Sequence, residues 1–446
     1  MSQTATQAAP AGEKLDFKRV LPIFVIVLID LLGLTIIIPL LPLYAAAFGA
    51  NAFVVGALGA AYPMMQFVGA PLLGRLSDRY GRRPVLIVSQ IGTFAGFVLL
   101  GLANTLWVVF LARLLDGLSG ANISTAQAAI SDSTTEKTRT QGLGLIGAAF
   151  GLGFIIGPVI AFAVLAVSDN NYSMVAYTAA VFSLISILLT VFWFKETLPA
   201  EKRGTATTKA GVGFGAMLAA LKKPQVGFLL ALMFMQQFAF GGFEQLLSLF
   251  TLNRLGMNAS SNATLFVFAG VIIVVVQGGM VGRWSRQFGD RWLIFMGLLT
   301  VGVGLMLAAA TPAQPVPWYS RAEVAEELSL DQSLPGETPP TENIQIALPE
   351  DANKSWLGLV WLMVAIVPIA IGGGVLQPSI NSMLTQRVGK DEIGGTLGVS
   401  AAFLSASNAL TPLILGAIFQ WLGASAPFLI GGVILLALWG LARRNL

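Results

Sequence analysis

Gly74-Arg-Leu-Ser-Asp-Arg-Tyr-Gly-Arg-Arg83 packs five charged side chains into ten residues, and long apolar runs flank it on both sides. A short basic turn between two hydrophobic segments reads as a loop joining two membrane helices on the side where Lys and Arg accumulate. The pattern returns at Gly282-Arg-Trp-Ser-Arg-Gln-Phe-Gly-Asp-Arg291, with Gly282, Gly289 and Arg291 in register with Gly74, Gly81 and Arg83. Recurrence at about half the chain length is what a duplicated membrane transporter should show.

Composition points the same way. The chain has 446 residues, of which 55% are hydrophobic and 11% charged, whereas a soluble domain carries about 25% charged residues. A formal charge of +4 could suggest nucleic acid. The basic residues are confined to short loops on one side, however, so no nucleic-acid partner is expected. The chain contains no Cys and no His. That excludes disulfides, thiolate nucleophiles, Cys/His metal sites and imidazole relays, so no metal and no cofactor is expected.

Apolar stretches long enough to span a ~30 Å hydrocarbon core number about twelve: roughly 21–44, 53–74, 84–103, 105–131, 141–167, 172–194, 225–252, 260–282, 292–311, 355–385, 394–421 and 425–442. The predicted fold is an all-α membrane protein of twelve transmembrane helices in two six-helix pseudo-repeats. Lys18, Arg19, Arg75, Lys137, Arg139, Lys202, Arg203, Lys222, Lys223, Arg283, Arg387 and Arg443 fall on one side, and Arg254, Arg321 and Lys354 on the other. Both termini are therefore expected to be cytoplasmic, in a multi-pass protein of the cell inner (plasma) membrane.

Residues 1–20 read as a polar cytoplasmic tail without a signal-peptide core. Residues 21–195 read as the N-terminal six-helix bundle, 196–224 as a cytoplasmic linker, and 225–443 as the C-terminal bundle. The last carries an acidic extracellular insertion at 312–354, read as solvated apart from one short helix around Arg321–Leu328, and replaceable without loss of transport. A sharper alternative is that its carboxylates draw cations to the outer mouth. A monomer is expected.

Helix 5 (Gly142, Gly144, Ala148-Ala149-Phe150) resembles helix 11 (Gly395, Gly398, Ala401-Ala402-Phe403), with Pro158 and Pro412 following at similar intervals. Gly147, Gly151, Gly157 and Pro158 are the expected close-packing positions of helix 5.

Charges inside apolar spans cost at least about 2.5–3.5 kcal/mol each on insertion scales, so each one needs a reason. Asp30 of helix 1, Arg113 and Asp116 of helix 4 and Glu244 of helix 7 stand out. Asp30 and Asp116 fall at similar depths, roughly 13 Å and 16 Å from opposite membrane faces. Arg113 and Asp116, three residues apart, share a helix face. Two carboxylates with one fixed positive charge form a site able to hold and release a proton. The plainer readings are that Arg113 only ties helices together and that Glu244 only faces water.

In the turn, Gly74, Asp78, Arg79, Gly81, Arg82, Arg83 and Asp132 read as a gate. Asp78 would cap a helix of the other half near Ile393–Gly395. The arginines would pair with Asp132 or Glu136, or else serve topology alone. In the second copy Arg286 replaces the aspartate, so that half cannot form the same cap. Asn122, Gln127, Gln236, Gln237, Gln377 and Asn381, with Phe240 and Phe243, suit a polar-spotted aromatic wall for an amphipathic or cationic small molecule. For each phenylalanine taken singly, a lipid-facing or packing role is the simpler reading.

The Gly74–Arg83 turn resembles the loop between helices 2 and 3 of the major facilitator superfamily. Together with Asp30-Leu-Leu-Gly-Leu-Thr-Ile-Ile-Ile-Pro39-Leu-Leu-Pro42 and Arg113-Leu-Leu-Asp-Gly-Leu-Ser-Gly-Ala121, it resembles the tetracycline-efflux branch of the drug:proton antiporters. The resemblance implies alternating access and export of amphipathic compounds against proton entry, with Asp30 and Arg113 at charged family positions. Departures are plain: Gly157-Pro158-Val-Ile-Ala161-Phe162 lacks the last two glycines of the antiporter motif, Asp116 replaces a small polar residue, and there is no membrane His. These argue against tetracycline itself as substrate. The reading is a proton-coupled secondary transporter. Its alternative is a proton-coupled importer or facilitator of a metabolite or lipid, and a channel or receptor is remote. Without a nucleophile, metal cluster or nucleotide loop, an enzyme is not expected.

Overall fold

The computed structural model describes residues 16–135, 138–203, 214–329, 346–388 and 393–445, and among these residues there is no β-strand. Twelve helices among them are long and apolar enough to cross a membrane. In chain order, and numbered helix 1 to helix 12, they are Phe17–Ile37, Ala52–Tyr80, Arg82–Gly101, Leu106–Asp132, Leu145–Val167, Tyr172–Phe192, Val226–Leu255, Ala259–Phe288, Asp290–Ala309, Leu357–Gln386, Val399–Leu422 and Ala426–Arg444.

Local chemistry explains most of the boundaries. Helix 1 was expected to run to residue 44, but it stops at Ile37 and a separate short helix, Leu41–Ala47, follows. Pro39 and Pro42 bracket the break, and a proline lacks the N–H that would continue the ladder. Asn51, Asn171 and Asn258 each cap the helix that follows, accepting from Val54 N (3.0 Å), Met174 N (3.2 Å) and Ser261 N (3.1 Å). Gly81 (φ +105°) and Gly289 (φ +82°) turn the chain within one residue between helices 2 and 3 and between helices 8 and 9. That left-handed backbone favours glycine, which is why both basic turns keep it.

Helix 4 passes through a 3₁₀ turn at Gly120–Asn122, and helix 8 through a π-helical turn at Val276–Met280. Helix 1 packs on helices 5 and 6, helix 3 on helices 4 and 6, and helix 2 on helix 4; helix 7 packs on helices 11 and 12, helix 9 on helices 10 and 12, and helix 8 on helix 10. Between these groups, helix 2 packs on helix 11 and helix 5 on helix 8.

Three hydrogen bonds join helices 1–6 to the later chain, and each lies at the arginine-poor end. Ala52 N donates to Gln420 Oε1 (3.0 Å), Ser248 Oγ to the Pro39 carbonyl (2.7 Å), and Tyr172 OH to Glu327 Oε1 (3.2 Å). There too Gly56 of helix 2 meets the backbone of Pro412 and Gly416 in helix 11. Toward the arginine-rich end, Gly74, Gly147, Gly278 and Gly279 border open space. The arginine-poor end is closed, and the arginine-rich end is the looser one.

The expected short helix of the acidic insertion is present, at Arg321–Ser329. Its surroundings differ from the solvated reading. Val316, Tyr319, Val324, Ala325, Leu328 and Ile346 are buried, because apolar residues spaced along this segment dock onto the helix ends. Glu337 and Glu342 lie outside the described residues.

Candidate functional site

The membrane-embedded charges resolve into two linked pairs. Arg113 Nη1 donates to Asp116 Oδ2 at 2.7 Å, and both side chains are almost wholly buried. Asn122 Nδ2 donates to Asp30 Oδ2 at 2.9 Å, joining helix 4 to helix 1. Tyr62 of helix 2 lies beside the ion pair, its ring centroid 4.7 Å from the Arg113 guanidinium. Gln66 Nε2 donates both to Tyr62 OH and to the Gly120 carbonyl, each at 3.3 Å. Asp30 Oδ1 and Arg113 Nε are buried without a hydrogen-bond partner. Buried polar atoms are nearly always satisfied, so two orphans in one cluster mark it as a site under functional demand.

Small residues let the helices close around this cluster. A Cβ on Gly96 of helix 3 would lie 3.0 Å from Asp116 Cβ, and one on Gly117 would lie 2.8 Å from Tyr62 Cα. The 3₁₀ turn at Gly120–Asn122 re-aims Asn122 toward helix 1. Asn122, expected at the substrate wall, is instead engaged with Asp30.

The other polar positions are dispersed. Gln127 and Gln377 are exposed, and Asn381 Oδ1 accepts from Ser400 Oγ at 3.0 Å. Gln237 Nε2 donates to Asn408 Oδ1 at 2.9 Å, and Gln236 is buried with Oε1 unpaired. Phe240 packs on Gly373 of helix 10, while Phe243 is buried edge-on against Phe428, 6.2 Å between centroids. Phe243 is thus a packing residue. Glu244 is half-buried near helix 11 and is not joined to the Asp30–Arg113–Asp116 cluster. Asn408, which sequence reasoning passed over, is found only through its partner Gln237.

In the first basic turn Arg82 is the hub. Its guanidinium donates to Asp78 Oδ1 (2.6 Å), Ser77 Oγ (2.7 Å) and Asp132 Oδ2 (2.9 Å). Arg83 donates to the Thr190 and Val191 carbonyls at the end of helix 6. Arg79 lies exposed over the Tyr80 ring, 5.3 Å from its centroid. Asp78 therefore pairs inside its own half in this conformer rather than with the start of helix 11. Glu136 lies outside the described residues.

Glu196, missed in the sequence, accepts from Arg82 N (2.9 Å) and Arg83 N (3.2 Å) and so caps helix 3. In helix 5, Gly157 packs directly on Thr35 of helix 1 and the neighbouring Pro158 is buried. Gly151 faces Gln277 of helix 8 at 3.8 Å, and Gly147 meets nothing. Close packing thus belongs to Gly157.

With twelve apolar helices, a buried charge cluster and a one-sided closure on the page, comparison with known proteins is decisive. A profile of the Major Facilitator Superfamily matches residues 23–322. The chain belongs to that superfamily. It is 27% identical over 402 residues to the class B tetracycline resistance protein of Escherichia coli, covering 89% of this chain and 87% of that protein. It is 24% identical over 426 residues to multidrug resistance protein 2 of Bacillus subtilis (strain 168), covering 94% of each. Its fold superposes on the human organic anion transporter MFSD10 (TETRAN) with TM-score 0.65 at 22% identity, covering 96% of this chain and all of that one. As a member of this superfamily it is a multi-pass membrane transporter and not an enzyme.

Proposed function

We propose that this transporter exports amphipathic or cationic small molecules in exchange for protons, as a monomer in the cell inner membrane, working by alternating access between two six-helix halves. The observation that carries the proposal is the buried cluster of Asp30, Asn122, Tyr62, Arg113 and Asp116, with its unpaired Asp30 Oδ1 and Arg113 Nε. In a chain without His, these carboxylates are the groups suited to carry the proton, and Arg113 is the fixed counter-charge.

The packing supports the duplication. Each contact made within helices 1–6 reappears six helices later: 1 on 5 as 7 on 11, 3 on 6 as 9 on 12, 2 on 4 as 8 on 10. The cross-contacts, 2 on 11 and 5 on 8, are each other's images. The distribution of Lys and Arg supports cytoplasmic termini, which makes the closed, arginine-poor end the outer one and this conformer inward-facing. Gln127 and Gln377 are exposed and Gln237 half-buried, which leaves them available for an organic cation; Asn381 is already engaged with Ser400.

The test is proton release on substrate binding to the detergent-solubilised protein, read with a pH dye across a panel of cationic dyes. Asp30→Asn or Asp116→Asn should abolish release while sparing equilibrium counterflow in proteoliposomes. If both variants release as many protons as the parent, the proton site lies elsewhere, and Glu244 is next. Uphill uptake into inside-acid proteoliposomes against uptake into inside-alkaline ones fixes the direction of coupling.

A further inference from the structure

The segment joining helices 9 and 10 is bound tightly to its own side of the molecule. Val316 N donates to the Leu255 carbonyl (3.0 Å), and Asn253 Nδ2 donates to the Ala347 carbonyl (2.8 Å), fastening both arms to the end of helix 7. Tyr319 OH closes the loop on the Pro349 carbonyl (2.8 Å), and Asp351 accepts from Arg321 N at 3.2 Å, capping the short helix Arg321–Ser329. The capped helix lies across the short helix Leu41–Ala47, which belongs to the other half.

From this helix Glu327 reaches a three-way junction. Its carboxylate accepts from Tyr172 OH at 3.2 Å, at the start of helix 6, and from Ala259 N and the Asn258 side chain, at the start of helix 8. The N-terminus of helix 8 favours an anion there. The Tyr172 ring stacks on Tyr44 with centroids 5.3 Å apart, and Tyr44 OH donates to the Leu100 carbonyl of helix 3 at 3.1 Å. A continuous line of contacts therefore runs from the inserted segment into the N-terminal half.

We propose that residues 312–329 and 346–356 form a strap, carried by the C-terminal half, that holds the outer end shut through Glu327 and releases Tyr172 each time that end opens. The proposal rests on the alternating-access reading for its place in the cycle. Its geometry is independent of proton coupling. A decorative insertion would pack on its own half alone, whereas this one spends its one deeply placed carboxylate on a residue of the other half. The remaining strap carboxylates Glu323, Glu326, Glu350 and Asp351 are exposed.

A single thiol reads the state of the outer end, because the chain has no cysteine of its own. Ala52, 2% exposed, lies under the closure, with its N–H on Gln420 of helix 11. Ala52→Cys in the purified full-length protein is labelled with a polar maleimide, without substrate or pH gradient. Tyr172→Phe, which keeps the ring stack and removes only the hydroxyl, should raise the labelling rate about tenfold, the factor expected for losing one hydrogen bond to a carboxylate. Glu327→Ala should raise it at least as much. Glu323→Ala, on the exposed face of the same helix, should leave it at the parental rate. Parental rates in both Tyr172→Phe and Glu327→Ala, in protein that remains monodisperse, would overturn the strap. Since no transport is measured, a failed proton-release experiment leaves this result standing on its own.

Discussion

Replacing Gly56 with Ala should push this transporter out of its inward-facing conformer. Helices 2 and 11 touch backbone to backbone where Gly56 meets Gly416. A Cβ on Gly56 would lie 3.0 Å from Gly416 Cα and 3.1 Å from the Pro412 carbonyl carbon, and one on Gly416 would lie 2.8 Å from Gly56 Cα. Carbon atoms rest about 3.5–4.0 Å apart, so either alanine forces the helices apart by about 1 Å. Overpacking of this kind costs about 1–3 kcal/mol. The whole cost falls on the conformer in which the outer end is shut, because the contact exists only there. The inward-to-outward ratio should therefore fall roughly 5- to 150-fold. Spin labels on cysteines placed at Leu102 and Leu422, both exposed at the outer end, report the separation of the halves. Gly56→Ala and Gly416→Ala should each shift the distance distribution outward, and Gly147→Ala, which faces open space, should not. Unchanged distributions in both variants would refute the assignment of this glycine contact to the outer seal.

Two further outcomes follow from particular contacts. Arg82→Lys keeps the charge but loses the planar fork that serves Ser77, Asp78 and Asp132 together; it should lower thermal stability by about 1–2 kcal/mol, read as a lower melting temperature. Asp78→Asn should insert normally and transport poorly, and full transport with unchanged conformer distances would remove Asp78 from the gate. Burial holds the Glu327 carboxyl above its ordinary range, against the pull of Tyr172, Ala259 N–H and Asn258. The closed strap thus binds the proton more tightly than an open, solvated one. Closure gains in acid, and the gain is lost as pH rises through the raised value. Labelling of Ala52→Cys should slow as pH falls from about 8 to about 5, a range that brackets a raised carboxyl, and Glu327→Gln should flatten the profile; acceleration in acid would contradict it.

Much of this was legible in the sequence because the bilayer imposes strong rules on composition. Length and hydropathy located twelve spans, and expense in lipid singled out Asp30, Arg113 and Asp116. What stayed hidden was the choice of partner. Asp30 had to be compensated, but only the approach of helices 1 and 4 decides that Asn122, rather than Arg113, donates to it. The insertion misled for a related reason. Its eight carboxylates suggested solvent, while Val316, Tyr319, Val324 and Leu328 are too widely spaced to register as a core until the chain folds back.

The two basic turns show why the second copy of the motif looked degenerate. Arg82 opens helix 3 and ties Ser77 and Asp132; Asp290, at the equivalent place, opens helix 9 and accepts from Ser285 Oγ (2.5 Å), Ser382 Oγ (2.5 Å) and Gln386 Nε2 (3.0 Å). Ser77 and Ser285 are register partners, and Asp132 and Gln386 each end the fourth helix of their half. The wiring is kept while the charge is inverted. The inversion has an electrostatic consequence, since a helix N-terminus favours an anion. Asp290 supplies that anion from within helix 9. Arg82 cannot, and Glu196 supplies it instead, accepting from the Arg82 and Arg83 amides after the chain has left helix 6. The acidic cap that one turn carries in place is delivered to the other from more than a hundred residues away. A comparison of the two decapeptides alone therefore sees a lost aspartate where the folded protein has moved it.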